Sequence, residues 1–185
     1  MNVHDYYLKV VEELASAGSR PFGDEAERFA VLVASAGAVF VAGAGRSGLM
    51  GKAFAMRLMH MGVKAYVVGE TVTPGIGAGD MLVLGSGSGE TASLVAMAHK
   101  AASLGAQIGL VTVKPESTIA ALADVTVQLS ATAKEQNSGQ RGTIQPMASL
   151  FEQSLLLFYD AVILKLMEIK GLDSGTMYGS HANLE

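Results

Sequence analysis

Two short stretches of this sequence have the composition of anion cradles, Gly43-Ala44-Gly45-Arg46-Ser47-Gly48 and Ser86-Gly87-Ser88-Gly89-Glu90-Thr91. Each follows an apolar run and opens a helical pattern, which places backbone N–H groups and hydroxyls at a helix N-terminus. There the unpaired amides and the positive end of the helix dipole favour an anion, and glycine lets the backbone come close to it. Phosphate is the natural guest. For a single loop, helix capping explains the residues equally well. It does not explain the second loop, where Ser86, Ser88 and Thr91 crowd three hydroxyls into six residues although a helix start needs one. Arg46, beside Ser47, offers forked donors to a phosphate or to charge developing on a substrate, or else a salt bridge to Glu70 or Glu90.

Two rival chemistries use the same glycines. Gly43, Gly45 and Gly48 also spell the dinucleotide fingerprint G-x-G-x-x-G, and Glu70 ends the next strand where a ribose-binding acid would sit. That reading leaves little chain for a substrate domain and no role for the serine-rich loop. An ATP-binding P-loop fails on spacing, because Gly45 lies one residue too far from Gly51-Lys52 and Ala53 stands where Ser or Thr should meet magnesium.

The elements around these loops follow from apolar spacing. Residues 3–17 and 22–36 have helical periodicity and are separated by Ser19-Arg20-Pro21. Strands are expected at Ala38–Ala42, Ala65–Val68, Met81–Leu84, Gln107–Val113 and Val125–Leu129, with helices at about Leu49–Met61, Ala92–Leu104 and Thr118–Leu122. Apolar strands alternating with helices predict an α/β fold, a single doubly wound three-layer sandwich with a five-stranded, mainly parallel sheet. Such sheets bind ligands at the carboxyl ends of their strands. A polar surface loop is expected from Ser130 to Thr143, then a long helix from Met147 to about Ile169, then an irregular tail over 171–185. The whole chain, 1–185, reads as one domain: N-terminal helices over 1–36, sheet core over 37–130, long helix over 144–170.

Composition narrows the function classes. The chain has 185 residues, half of them apolar, with no Cys and a formal net charge of −4. A domain of this size buries about 70% of its unfolded surface and needs no disulfide or structural metal. The absence of Cys excludes thiol chemistry, and His4, His60, His99 and His181 lack the short spacings of metal-ligand pairs. Lys and Arg are dispersed, which argues against nucleic acid. The first residues lack the order of a signal peptide, and Asp160 and Lys165 interrupt the most apolar long stretch, Leu155 to Met167. The expectation is a soluble, cytoplasmic protein that binds neither nucleic acid nor membrane.

Taken together, the loops resemble those of the sugar isomerase (SIS) domain family, whose second loop commonly reads S-x-S-G-x-T before a helix, as Ser86 to Thr91 do without a gap. Within that family the chain is similar to the 6-phospho-3-hexuloisomerases. The further matching segments are Met56-Arg57-Leu58-Met59-His60, Gly69-Glu70-Thr71, Ile144-Gln145-Pro146-Met147, Leu150-Phe151-Glu152-Gln153 and the ending His181-Ala182-Asn183-Leu184-Glu185. The resemblance implies interconversion of D-arabino-3-hexulose 6-phosphate and fructose 6-phosphate through a cis-enediol. It also implies no metal or organic cofactor, a homotetramer with sites near subunit interfaces, and functional pairing with hexulose-phosphate synthase in the ribulose monophosphate pathway of formaldehyde fixation.

It further implies roles for particular residues. Glu152 becomes the proton shuttle, although its position alone fits an ordinary first-turn acid stabilised by the helix dipole. Ser47, Ser86, Gly87, Ser88, Gly89, Glu90 and Thr91, with Arg46, become the substrate and phosphate contacts. His181, in an otherwise featureless tail, is expected to fold over a site, its own or a neighbour's. His60 ranks behind it, either interacting with the last carbonyls of its helix or packing at an interface. The methionines at 50, 56, 59 and 61 and the apolar face of Leu155 to Met167 read as core or subunit contact. Another phosphosugar isomerase, or a non-catalytic sugar-phosphate sensor using the same loops, is the alternative; a sensor needs no base at Glu152.

Overall fold

The computed structural model describes residues 1–131 and 143–184, so the predicted loop over 130–143 lies outside the described residues except at its ends. Two helices, α1 (Val3–Gly18) and α2 (Asp24–Ser35), precede an alternating series. It runs β1 (Val39–Gly43), α3 (Arg46–His60), β2 (Ala65–Val67), β3 (Met81–Gly85), α4 (Ala92–Ser103), β4 (Gln107–Thr112), a 3-10 turn (Ala120–Leu122) and β5 (Val125–Gln128). The long α5 (Ser149–Lys170) and a short α6 (Ser174–Tyr178) complete the chain. All strand pairs are parallel, and their order in the sheet is β2-β1-β3-β4-β5.

Strand residues alternate between two cores, as a period of two requires. Val39, Val41, Met81, Val83, Val111, Val125 and Val127 join the residues of α2, α3 and α5. Phe40, Ala42, Leu82, Leu84, Ile108 and Leu110 face α4 and the 3-10 turn. On the first face α3 and α5 lie side by side, fixed by Phe54 stacked on Tyr159 at 4.4 Å between ring centroids. Such pairs contribute about 0.5–1.5 kcal/mol beyond the area they bury. Their functional consequence is positional, because these two helices carry Arg46 and Glu152. Of the methionines, Met61 is buried and Met50 partly so, whereas Met56 and Met59 are exposed on α3. No helix among the described residues is long and apolar enough to cross a membrane.

Two sequence expectations are corrected. Helix α3 begins at Arg46, three residues before the first apolar position of the pattern, Leu49. Gly45 turns the chain at φ +58°, and the small polar residues after it already lie in the helix without any apolar periodicity to betray it. The tail is not wholly irregular, since Asp173 caps α6 by accepting from the Thr176 N–H at 2.7 Å. An Asp three residues before its partner is the ordinary N-cap signal, and it acts here without a periodic apolar stripe.

Candidate active site

Strand order reverses between β1, whose crossover leads to β2 on one side, and its other neighbour β3. At such a switch point the loops leaving two adjacent strands diverge to opposite faces and open a crevice at the carboxyl edge. Gly43 and Gly85, the last residues of β1 and β3, are register partners, so both glycine-rich loops rise from this one crevice. It holds a cavity of about 330 Å³ lined by Ala44, Ser47, residues 85–88, Glu90, Thr91, Leu94, Ala148, Phe151 and Glu152.

Close backbone approach shapes both walls. A Cβ on Gly48 would stand 2.5 Å from the Gly43 carbonyl oxygen, and one on Gly43 would stand 2.8 Å from the Gly48 nitrogen. The two outer glycines of the apparent dinucleotide fingerprint therefore serve a tight junction between β1 and α3. Glu70, the supposed ribose acid, instead pairs with Lys52 at 3.2 Å. On the other wall α5 passes directly beneath the second loop. A Cβ on Gly85 would meet Leu155 Cδ2 at 2.8 Å, and one on Gly87 would meet Phe151 at 3.2 Å.

The hydroxyls of the second loop do not cap α4. Ser86 Oγ accepts from the Gly89 N–H at 3.1 Å and Ser88 Oγ from the Glu90 N–H at 3.2 Å, while Thr91, at the N-cap position, makes no side-chain capping bond. A hydroxyl that accepts from its own loop still has a proton to donate, and the first turn of α4 has no side-chain cap. Both features suit an anion. The Glu90 carboxylate is turned to the Thr118 N–H, 2.7 Å from its Oε1. The backbone and side-chain hydrogen bonds of Thr118 hold it below the usual carboxylate range, against a smaller opposing effect of burial, with help from Lys114.

Arg46 Nη1 lies 3.1 Å from Oε2 of Glu152, one of the residues that line the cavity, and donates to Ser149 Oγ at 2.9 Å. Arg46 thus pairs with neither Glu70 nor Glu90. Glu152, 5% exposed, lies at the start of α5, and Arg46, the side chain it pairs with, is half in solvent. A buried carboxylate facing a cavity has the means to exchange a proton with a bound molecule.

The histidines lie elsewhere. His60 ends α3 while Arg46 begins it, and at 1.5 Å per residue the helix separates them by roughly 20 Å. His60 is buried and stacks on His181 at 5.5 Å, and His181 in turn lies 6.0 Å from Tyr178. Arg57 Nη1 contacts His60 Nδ1 at 3.3 Å; a guanidinium only donates, so Nδ1 accepts and the ring proton sits on Nε2. Burial, then the charges of Arg57 and His181, hold His60 below its ordinary value. One chain therefore gathers Ser47, the second loop and Glu152 around one cavity, joins Arg46 to it through the Glu152 carboxylate, and leaves His60 and His181 together at the far end of α3.

The SIS domain family matches residues 32–163, which include both loops and Glu152. The chain belongs to the SIS domain family. A 3-hexulose-6-phosphate isomerase of Bacillus subtilis (strain 168) is 52% identical to this SIS domain over 185 residues, the full length of both chains. One from Methylomonas aminofaciens is 39% identical, covering 99% of this chain and 100% of the relative. A crystal structure of a hypothetical protein from Methanococcus jannaschii, inferred there to function as a 3-hexulose-6-phosphate isomerase, superposes with a TM-score of 0.84. It is 31% identical and covers 98% of this chain and 99% of its own.

Sequence reading missed several contributors to this SIS-domain site, Ser149 and Phe151 among them. Ser149 holds Arg46, and Phe151 forms part of the cavity wall under Gly87. Both fall in the first turn of α5, where a helical register anchored on Glu152 puts Ser149, three residues before it, on the same face but gives no such signal for Phe151. Replacing Arg46 by Met is expected to lower kcat about tenfold, the usual scale for losing a hydrogen bond to a charged group, and Arg46→Lys to lower it less. Equal activity of all three proteins in steady-state assays would remove Arg46 from the machinery.

Proposed function

We infer that this SIS domain is a 3-hexulose-6-phosphate isomerase, moving the carbonyl of a ketohexose 6-phosphate between C3 and C2. The observation that carries the reading is the placement of a buried carboxylate, Glu152, in the same cavity as the hydroxyl-rich loop Ser86 to Thr91. The loop amides and hydroxyls, with Ser47, hold the phosphate and leave the carbon chain facing Glu152. In 3-hexulose 6-phosphate the C2 proton is acidified by the C3 carbonyl. Glu152 takes it while O3 gains a proton from solvent, which gives a cis-enediol across C2 and C3; the same carboxyl then delivers a proton to C3 while the O2 proton passes to solvent and the O3 proton is retained. Arg46 neutralises charge building on the enediol oxygens. Without a carboxylate at that place the same loops would make only a sugar-phosphate sensor, so Glu152 is what favours an enzyme.

The site is completed by association. His181 cannot reach Glu152 of its own chain, and the His60–His181 pair serves the site of a second copy within a homotetramer. Exposed Leu49, Met56 and Met59 on α3 and Leu157 and Leu164 on α5 support such packing. The enzyme works in the cytoplasm beside hexulose-phosphate synthase, in the ribulose monophosphate route of formaldehyde fixation.

The test supplies substrate from ribulose 5-phosphate, formaldehyde and the synthase, and measures fructose 6-phosphate. Turnover is expected with wild type. Its absence from folded protein that still binds sugar phosphate would send the reading to other phosphosugars and then to the sensor. Mixing the inactive Glu152→Gln and His181→Ala proteins should restore activity in hybrid oligomers, where one intact Glu152 meets one intact His181. No recovery in verified hybrids would confine His181 to a structural task.

A further inference from the structure

Helix α1 buries none of its residues, yet one of its side chains reaches the segment that leads into α5. Glu13 accepts from Thr143 Oγ1 at 2.6 Å, from the Ile144 N–H at 2.6 Å and from Gln145 Nε2 at 2.9 Å. Gln145 is itself buried, and its N–H donates to Thr143 Oγ1 at 3.0 Å, so the carboxylate and the segment form a closed set of bonds. Donors to an ionised acceptor make the stronger class of hydrogen bond.

The chain has something to hold at this point. Two residues on, Met147 has φ +57°, the one non-glycine positive φ among the described residues. A side chain there crowds its own backbone, and Met147 is 74% exposed, so no packing of that side chain holds the conformation. Such a residue persists only where the chain on either side fixes it. Downstream the fixing group is Arg46, bonded to Ser149 and paired with Glu152; upstream it is Glu13.

We propose that Glu13 is a positioning residue for the isomerase site: it pins Thr143 to Gln145, keeps the left-handed turn at Met147, and so starts α5 in the register that presents Glu152 to the cavity. The inference rests on Glu152 being the base. Glu13 touches no group that lines the cavity on the second loop, so its action is on the base and not on phosphate capture.

The variant Glu13→Gln keeps the size of the side chain but sets an amide N–H₂ against donors, leaving at least one of them unanswered. It is expected to lower kcat about tenfold, the scale of one charged hydrogen bond, with inhibition by inorganic phosphate unchanged. Adding Met147→Gly removes the crowding at φ +57°, so the turn survives without its clamp, and the double variant should recover most of the lost kcat. A residue that merely tethers α1 would give no recovery. Glu13→Asp, which keeps the charge and shortens the reach, supplies the same comparison if Glu13→Gln does not fold. Wild-type kcat in the folded Glu13 variant, or a loss that Met147→Gly does not relieve, overturns the proposal. Glu152→Gln run alongside separates the two ideas, because its full activity would sink the base itself, whereas its inactivity beside an active Glu13 variant sinks only the clamp.

Discussion

Glu152→Gln is expected to reduce kcat about a thousandfold while leaving the fold and the binding of sugar phosphate in place. The magnitude follows from general base catalysis, which contributes roughly 10²–10⁴ to a proton transfer. Glutamine fills the same buried volume and keeps one oxygen toward Arg46, so the start of α5 is preserved. What disappears is the ability to accept a carbon-bound proton. Two measurements separate this from general damage. The midpoint of thermal unfolding should move by only a few degrees, since about 1 kcal/mol shifts a domain of this length by roughly 2–4 °C. In deuterated water, wild type should place solvent deuterium on the carbon that receives the proton, in the fraction of turnovers in which the Glu152 carboxyl exchanges with solvent before delivering it, and the variant should not. A folded variant that retains turnover within tenfold of wild type would mean that the proton is carried by another group, and the reading of the cavity would have to begin again from the histidines.

The sequence and the structure agree where a residue's type limits what it can do. The parallel sheet was legible because apolar strands recur between helical patterns, and the second loop because three hydroxyls among glycines exceed what a helix cap requires. Long-range partners were not legible. Arg46 had two plausible acids within reach of a sequence argument, Glu70 and Glu90, and pairs instead with Glu152, more than a hundred residues away. That choice is made by the packing of α3 on α5 through Phe54 and Tyr159, which no local pattern encodes. Glu13 was overlooked for a related reason. On an exposed helix an acid reads as solvent-facing, and only the returning segment at Thr143 to Gln145 gives it donors. Burial alone would raise its carboxyl; those hydrogen bonds, with the charge of Lys9, outweigh burial and hold it below its ordinary value. The glycine triplet shows the converse limit. It fits a nucleotide fingerprint by spelling, whereas its physical content here is the approach of Gly48 to the Gly43 carbonyl.

That approach carries the second large expectation, because the contact is backbone against backbone and has no flexible side chain to yield. Gly48→Ala sets a methyl 2.5 Å from the Gly43 carbonyl oxygen, well inside any real contact, so the start of α3 must move away from the end of β1. Overpacking of this kind costs about 1–3 kcal/mol, which lowers the unfolding midpoint by roughly 2–12 °C. The loss of activity should be larger than the loss of stability suggests. Arg46 and Ser47 stand immediately before Gly48, and a displacement of about 1 Å at a reacting pair can cost on the order of a hundredfold. Gly77→Ala is the matched control, since a Cβ there meets nothing within 4 Å and the backbone is not in the left-handed region. The expected pattern is a Gly77 variant close to wild type and a Gly48 variant that folds, melts earlier and turns over about a hundredfold more slowly. A Gly48→Ala protein with unchanged melting and unchanged kcat would show that the β1–α3 junction relaxes freely, and that the position of Arg46 is set by its bonds to Ser149 and Glu152 and not by the strand it follows.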